Sequence, residues 1–123
     1  MTRVELSIAC EDLLDRDIMS RSDPVCVMFI KSQHGWSEAD RTERIKDSLS
    51  PSWTKKFVMD YKFEERQMLR FAVYDIDSSS SSLSDQDFLG QIDVSLAEVV
   101  SNQSKAFKRK LEGKSSGEIQ NNQ

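Results

Sequence analysis

The 123-residue chain predicts an all-β sandwich. Short runs of alternating or β-branched residues recur at intervals of about 10–20 residues, with turn residues between them. Only one segment carries helical start signals. No strand–helix–strand alternation is present, which argues against an open parallel sheet with a nucleotide crevice. About seven short strands and one short helix result.

Val4, Leu6 and Ile8 alternate with Glu5, Ser7 and Ala9 as the first strand, ending at Glu11-Asp12. A polar segment follows to Asp23-Pro24, where the proline holds Asp23 extended. Val25 to Lys31 is β-branched and aromatic, a central strand. Gln33-His34-Gly35 is a loop, and the polar residues 38–46 read as an edge strand. After the Ser50-Pro51 turn, Trp53, Phe57 and Met59 punctuate another strand. Glu64 to Gln67 reads as a short helical turn or a loop, and Met68 to Tyr74 places Leu69, Phe71 and Val73 on one face. Residues 75–87 are rich in Asp and Ser and offer no core; Ser78 to Ser82 is a low-complexity run. Phe88 to Val94 is a strand. Ser95 opens a short helix, with Glu98 at capping-box spacing. Phe107 to Leu111 is a further strand, and Gly113 to Gln123 is polar. The expected domain is 1–112, followed at 113–123 by a tail or a shortened last strand.

The longest apolar run, Val25 to Ile30, has six residues. A spanning helix needs roughly 20. Arg3 and Glu5 interrupt the opening apolar residues, so these do not read as a secretory leader. A net charge of −4 argues against nucleic-acid binding. Cys10 and Cys26 lie in apolar surroundings and read as two buried thiols, in keeping with a reducing cytosol. One histidine and no C-x-x-C leave no zinc site. Ser-His-Asp, Cys-His and Gly-rich phosphate-loop patterns are absent, so no enzyme is expected.

The acids are unevenly spread. Asp17 and Asp23 lie in the loop after the first strand, Asp75 and Asp77 where a later strand runs out, and Asp87 just before the next begins. A sandwich can bring these two loops to one end. Five crowded carboxylates repel one another without a cation. Calcium takes 6–8 oxygens at about 2.3–2.6 Å and suits a wide, multi-loop site better than magnesium. The carbonyls of Arg16 and Ile76 are further candidate oxygens. Neutralising five acids would take the chain from −4 to +1. Asp12, Asp15, Asp40, Asp47, Asp60 and Asp93 read as turn residues or solvated charges. An EF-hand reading of Asp75-x-Asp77-x-Ser79 fails, because Ser80 replaces the glycine and Gln86 the final glutamate. A phosphatase reading of the same Asp-x-Asp lacks the α/β sheet it needs.

Several stretches together resemble a C2 domain, most closely the first C2 domain of copines. They are Leu13 to Pro24, Arg41 to Ile45 with Leu49 to Trp53, Leu69 to Asp77, and Asp85-Gln86-Asp87-Phe88-Leu89-Gly90. The resemblance covers residues 4–112. It implies an eight-stranded antiparallel sandwich of the permuted type II topology. Its calcium ligands by position would be Asp17, Asp23, Asp75, Asp77 and Asp87, holding two or three ions, with Asp85 a possible competitor of Asp87. The implied function is calcium-dependent binding to anionic phospholipid, by a monomeric cytoplasmic module recruited to the plasma membrane when calcium rises. The alternative is a calcium-independent C2 domain that binds a protein partner. Copines carry further domains that do not fit in this length, so a fragment or short form is implied. Ser50 stands where relatives commonly have Asn. The closing strand begins at Gly117-Glu118-Ile119-Gln120, and Asn121-Asn122-Gln123 is expected to break it off.

Secondary features have two readings each. Ile18, Met19 and Leu83 are either membrane-inserting tips, worth about 1–2 kcal/mol each, or ordinary exposed apolar residues. Lys55 and Lys56, with Lys46 and Lys62, are either a basic patch for lipid headgroups or a solvated strand face. Phosphorylation of Ser78 to Ser82 would set negative charge beside the site. Trp36 and Trp53 read as packing anchors.

Overall fold

Alternation decides the first strand. The computed structural model describes residues 2–11, 13, 23–76, 82–101, 107–111 and 118–122, and within it Thr2–Glu11 form β1. Val4, Leu6, Ile8 and Cys10 are buried and Glu5 is exposed, as successive strand side chains point to opposite faces. β2 (Pro24–Ser32) is instead buried on both faces from Val25 to Met28, the signature of a central strand. It turns through Gln33-His34 into β3 (Gly35–Arg41). Gly35 has φ of 105°, a conformation that a side chain would strain.

β3 is the expected edge strand with corrected bounds: it starts at Gly35 and stops at Arg41 instead of spanning 38–46. Thr42 explains the stop. Its hydroxyl, not a backbone carbonyl, accepts the Cys26 N–H at 2.9 Å, which ends the ladder. β4 (Phe57–Tyr61) begins beyond Trp53, and β5 (Met68–Asp75) follows a turn closed by the Glu65 N–H on the Lys62 carbonyl at 3.0 Å, so the turn sits earlier than the expected Glu64–Gln67. A single 3-10 turn at Leu83–Asp85 leads to β6 (Asp87–Ser95) and α1 (Leu96–Ser101). The capping box forms as its spacing predicts. Glu98 N–H donates to Ser95 Oγ at 3.2 Å, and Ser95 N–H donates to the Glu98 carboxylate at 3.0 Å. β7 (Phe107–Lys110) and β8 (Glu118–Asn122) complete the chain.

The eight strands make two antiparallel sheets, ordered β4-β1-β8-β7 and β3-β2-β5-β6. β8 does not break at Asn121 as expected. Asn121 pairs with Ile8 on one side and Phe107 on the other, and Asn122 pairs with Ser7. A partner on each side overrides the poor strand propensity of asparagine. The core lies between the sheets. Leu6, Ile8 and Phe57 from one meet Met28, Leu69, Phe71, Val73 and Ile92 from the other, and the Phe57 and Phe71 rings stand 5.7 Å apart. Leu96 and Val99 of α1 join the same cluster. Cys10 and Cys26 are free and buried, as read from the sequence. Burial pushes the Cys10 thiol up to about 12 and also raises Cys26 well above its ordinary value, with Cys10 adding to the shift at Cys26.

Candidate functional site

β2 begins, β5 ends and β6 begins at one end of the second sheet. The register sets Pro24 opposite Asp75, and Asp75 opposite Asp87. Asp23, Asp75 and Asp87 therefore reach one edge from three separate stretches of chain. Asp75 is 3% exposed, Asp23 half-buried and Asp87 exposed. Asp23 N–H donates to Asp75 Oδ1 at 2.9 Å, and Ile76 N–H donates to the Asp23 carbonyl at 3.1 Å. Directly opposed like charges on neighbouring strands destabilise a sheet, so the Asp75–Asp87 pair carries a cost that favours a cation.

The other expected ligands, Asp17 and Asp77, lie outside the described residues, as do Ile18 and Met19. Leu83 is half-buried in the 3-10 turn, and the Asp85 side chain in that turn is likewise outside the description. Among the described residues, no group of three or more His, Cys, Asp or Glu side chains is assembled to hold a metal ion. The donor chemistry nevertheless fits a hard cation. The groups at the edge are carboxylates and backbone carbonyls, all oxygen, as calcium requires, with no imidazole or thiolate among the three acids.

A fourth segment joins the edge, one that the sequence marked as part of the family resemblance but gave no role at the site. Asp47 N–H donates to Asp23 Oδ1 at 2.8 Å. Asp47 itself has φ of 51°, the left-handed region that Asp tolerates better than most residues. Ile45 N–H reaches the Pro24 carbonyl at 3.3 Å. The Arg44 guanidinium stands 3.5 Å from the Ile76 carbonyl, the oxygen between Asp75 and Asp77. Glu43 ties this segment to the next. Slight burial would raise its carboxyl, but hydrogen bonds from Thr54 N–H, Thr54 hydroxyl and Lys55 N–H outweigh that and hold it below the usual range. The only sequence signal for Asp47 was its place before the Leu49-Ser50-Pro51 turn.

Trp53 is a packing anchor, 4% exposed, and its indole N–H donates to the Pro24 carbonyl at 3.1 Å. Beneath the acidic edge it locks the start of β2. Trp36 is half-buried on the outer face, with the Arg70 guanidinium 4.3 Å from its ring. Arg70 also pairs with Asp93 through two hydrogen bonds, at 2.7 and 3.0 Å. Lys55 meets Asp40 at 3.3 Å and Lys56 meets Glu5 at 3.7 Å, so both lysines stand beside acids. An open groove whose lining includes Phe63, Glu64, Glu65, Arg66, Gln67 and Ser95 lies at the opposite end, where Met68 faces Ser95. It contains none of the acids of the edge.

A family model of the C2 domain matches residues 4–111. The chain belongs to the C2 domain family. Solved structures share the fold. A C2 domain of plant extended synaptotagmin 1 matches with a TM-score of 0.71 at 19% identity, over 98% of this chain and 92% of that one. A structure described only as a C2 domain matches at 0.70 and 20% identity, over 97% and 93%. A pair of C2 domains from extended synaptotagmin 2, calcium bound, matches at 0.70 and 22% identity, over 95% of this C2 domain and 43% of that chain. C2 domains are commonly membrane- and calcium-binding modules and are not themselves catalytic. Among the described residues of this C2 domain, no helix is long and apolar enough to cross a membrane.

Proposed function

We propose that this C2 domain is a calcium-dependent phospholipid-binding module of a copine-like protein. The observation that carries the reading is the opposition of Asp75 and Asp87 with Asp23 hydrogen-bonded to Asp75. Asp17, Asp23, Asp75, Asp77 and Asp87 would hold two or three calcium ions. What the bound ions supply is positive charge facing lipid phosphates. The carboxylates would fix that charge at one end of the sandwich, and Ile18, Met19 and Leu83 would meet the acyl region. Lys55 and Lys56 would add attraction for anionic headgroups, within the limit set by Asp40 and Glu5 beside them. The domain acts as a cytoplasmic monomer that moves to the plasma membrane when calcium rises, with no role for nucleic acid. The folded unit is taken as residues 1–112 with the strand at 118–122 closing it.

Co-sedimentation with phosphatidylserine vesicles tests the proposal, in calcium and in chelator. Binding in calcium alone is the expected result. Equal binding in both discards the switch. A second reading, a calcium-independent protein-binding domain, draws on the ion pairs already made by Lys55, Lys56 and Arg70, which leave a surface of mixed charge suited to a protein. Calorimetric silence at millimolar calcium would favour it.

A further inference from the structure

The acidic edge already has a cation beside it. Arg44 Nη1 stands 3.5 Å from the carbonyl oxygen of Ile76. Ile76 lies between Asp75 and Asp77, and its N–H donates to the Asp23 carbonyl at 3.1 Å. The segment carrying Arg44 is fixed at two further points, Ile45 N–H to the Pro24 carbonyl at 3.3 Å and Asp47 N–H to Asp23 Oδ1 at 2.8 Å. The guanidinium is thus presented to the edge by a backbone stitched to it.

We infer that Arg44 is a built-in competitor of the calcium ion: it neutralises part of the acidic edge in the ion-free state and occupies the Ile76 carbonyl that an incoming ion would use. The inference rests on the calcium reading above. Its physical basis is simple. A positive charge a few ångströms from a divalent site raises the free energy of the loaded state by repulsion and lowers that of the empty state by attraction. A carbonyl lone pair turned toward a guanidinium must be released before it ligates. Both effects weaken calcium binding. Arg44 therefore sets the calcium concentration at which the site fills, without itself being a ligand. Lys46, two residues on, is also exposed and positive, and among the described residues its ammonium makes no contact with the Ile76 carbonyl, so it serves as the charge control.

The test is calorimetric calcium titration of the wild type, Arg44→Gln and Lys46→Gln at physiological ionic strength. Melting in chelator first confirms that each variant is folded. Arg44→Gln is expected to bind calcium about three- to ten-fold more tightly than the wild type, and Lys46→Gln to change the affinity by about two-fold at most. Arg44→Gln binding no tighter than Lys46→Gln overturns the inference and leaves the calcium reading standing. If the wild type is silent and Arg44→Gln binds, the inference holds in its strongest form and the native chain is not a calcium switch. Silence in both overturns the two together.

Discussion

The two ends of this sandwich are closed by opposite means. Where Met68 faces Ser95, closure is made by side chains that cap nearby backbone groups, with charges of both signs, Glu64, Glu65 and Arg66, alongside. The Gln67 side chain accepts the Lys62 N–H and donates to the Asp60 carbonyl, while Ser95 and Glu98 cap each other. At the other end acidic residues from distant segments share an edge: Asp87 stands opposite Asp75, Asp75 Oδ1 accepts the Asp23 N–H, and Asp23 Oδ1 accepts the Asp47 N–H. Both ends belong to one fold and share one core. The contrast shows that backbone hydrogen bonds can tie an end together while its charges stay unbalanced. Stability at the acidic end should therefore depend on a ligand, and at the other end it should not.

The largest expected effect sits under the acidic end. Trp53→Ala removes a core aromatic and the donor to Pro24, and should cost about 3–5 kcal/mol in urea unfolding. Trp36→Ala, on the half-buried outer face, should cost about 1 kcal/mol. Equal costs would mean that the start of β2 is not anchored as described.

The buried thiols come next. Both pKa values are raised on folding, so the thiols are protonated in the native state over a range where unfolded thiols ionise. Their stabilising contribution is intact below the unfolded value of 9.0 and is lost as pH rises from there toward about 12 for Cys10. Each thiol should steepen the loss by up to about 1.4 kcal/mol per pH unit in that window. Urea titrations of wild type and Cys10→Ala between pH 8 and 10 check this, and identical slopes would contradict it. A thiol reagent at neutral pH should label neither cysteine until the chain unfolds.

Ser95→Ala sharpens the comparison from the opposite end. Losing the cap should cost about 1 kcal/mol and leave any calcium-induced rise in melting temperature unchanged. A cap variant that altered the calcium response would show that the two ends are coupled. Smallest of all is Arg70→Gln, which breaks a partly exposed pair with Asp93 and should cost about 1 kcal/mol or less.

Most of the sandwich was legible because burial enforces period two. β1 follows from Val4-x-Leu6-x-Ile8, and the α1 cap from Ser95 and Glu98. The errors fall where tertiary contacts decide. β3 ends at Arg41 because of the Thr42 hydroxyl, which no local pattern announces. β8 continues through Asn121 because strands flank it on both sides. That Asp23, Asp75 and Asp87 stand at the same edge of one sheet could be anticipated because strand ends and starts alternate between the ends of a sandwich. Asp47 and Arg44 could not, since their place depends on how the segment after β3 folds back over Pro24.

The most direct measurement is thermal unfolding of the wild type and of Asp75→Asn, each in chelator and in millimolar calcium. Calcium should raise the wild-type midpoint by at least about 5 °C, since a ligand that binds only the folded state stabilises it. Asp75→Asn keeps an acceptor for the Asp23 N–H and removes the charge facing Asp87. Its midpoint in chelator should equal or exceed that of the wild type, and the calcium-induced rise should vanish. A wild-type midpoint indifferent to calcium, or a full calcium response in Asp75→Asn, would contradict the account.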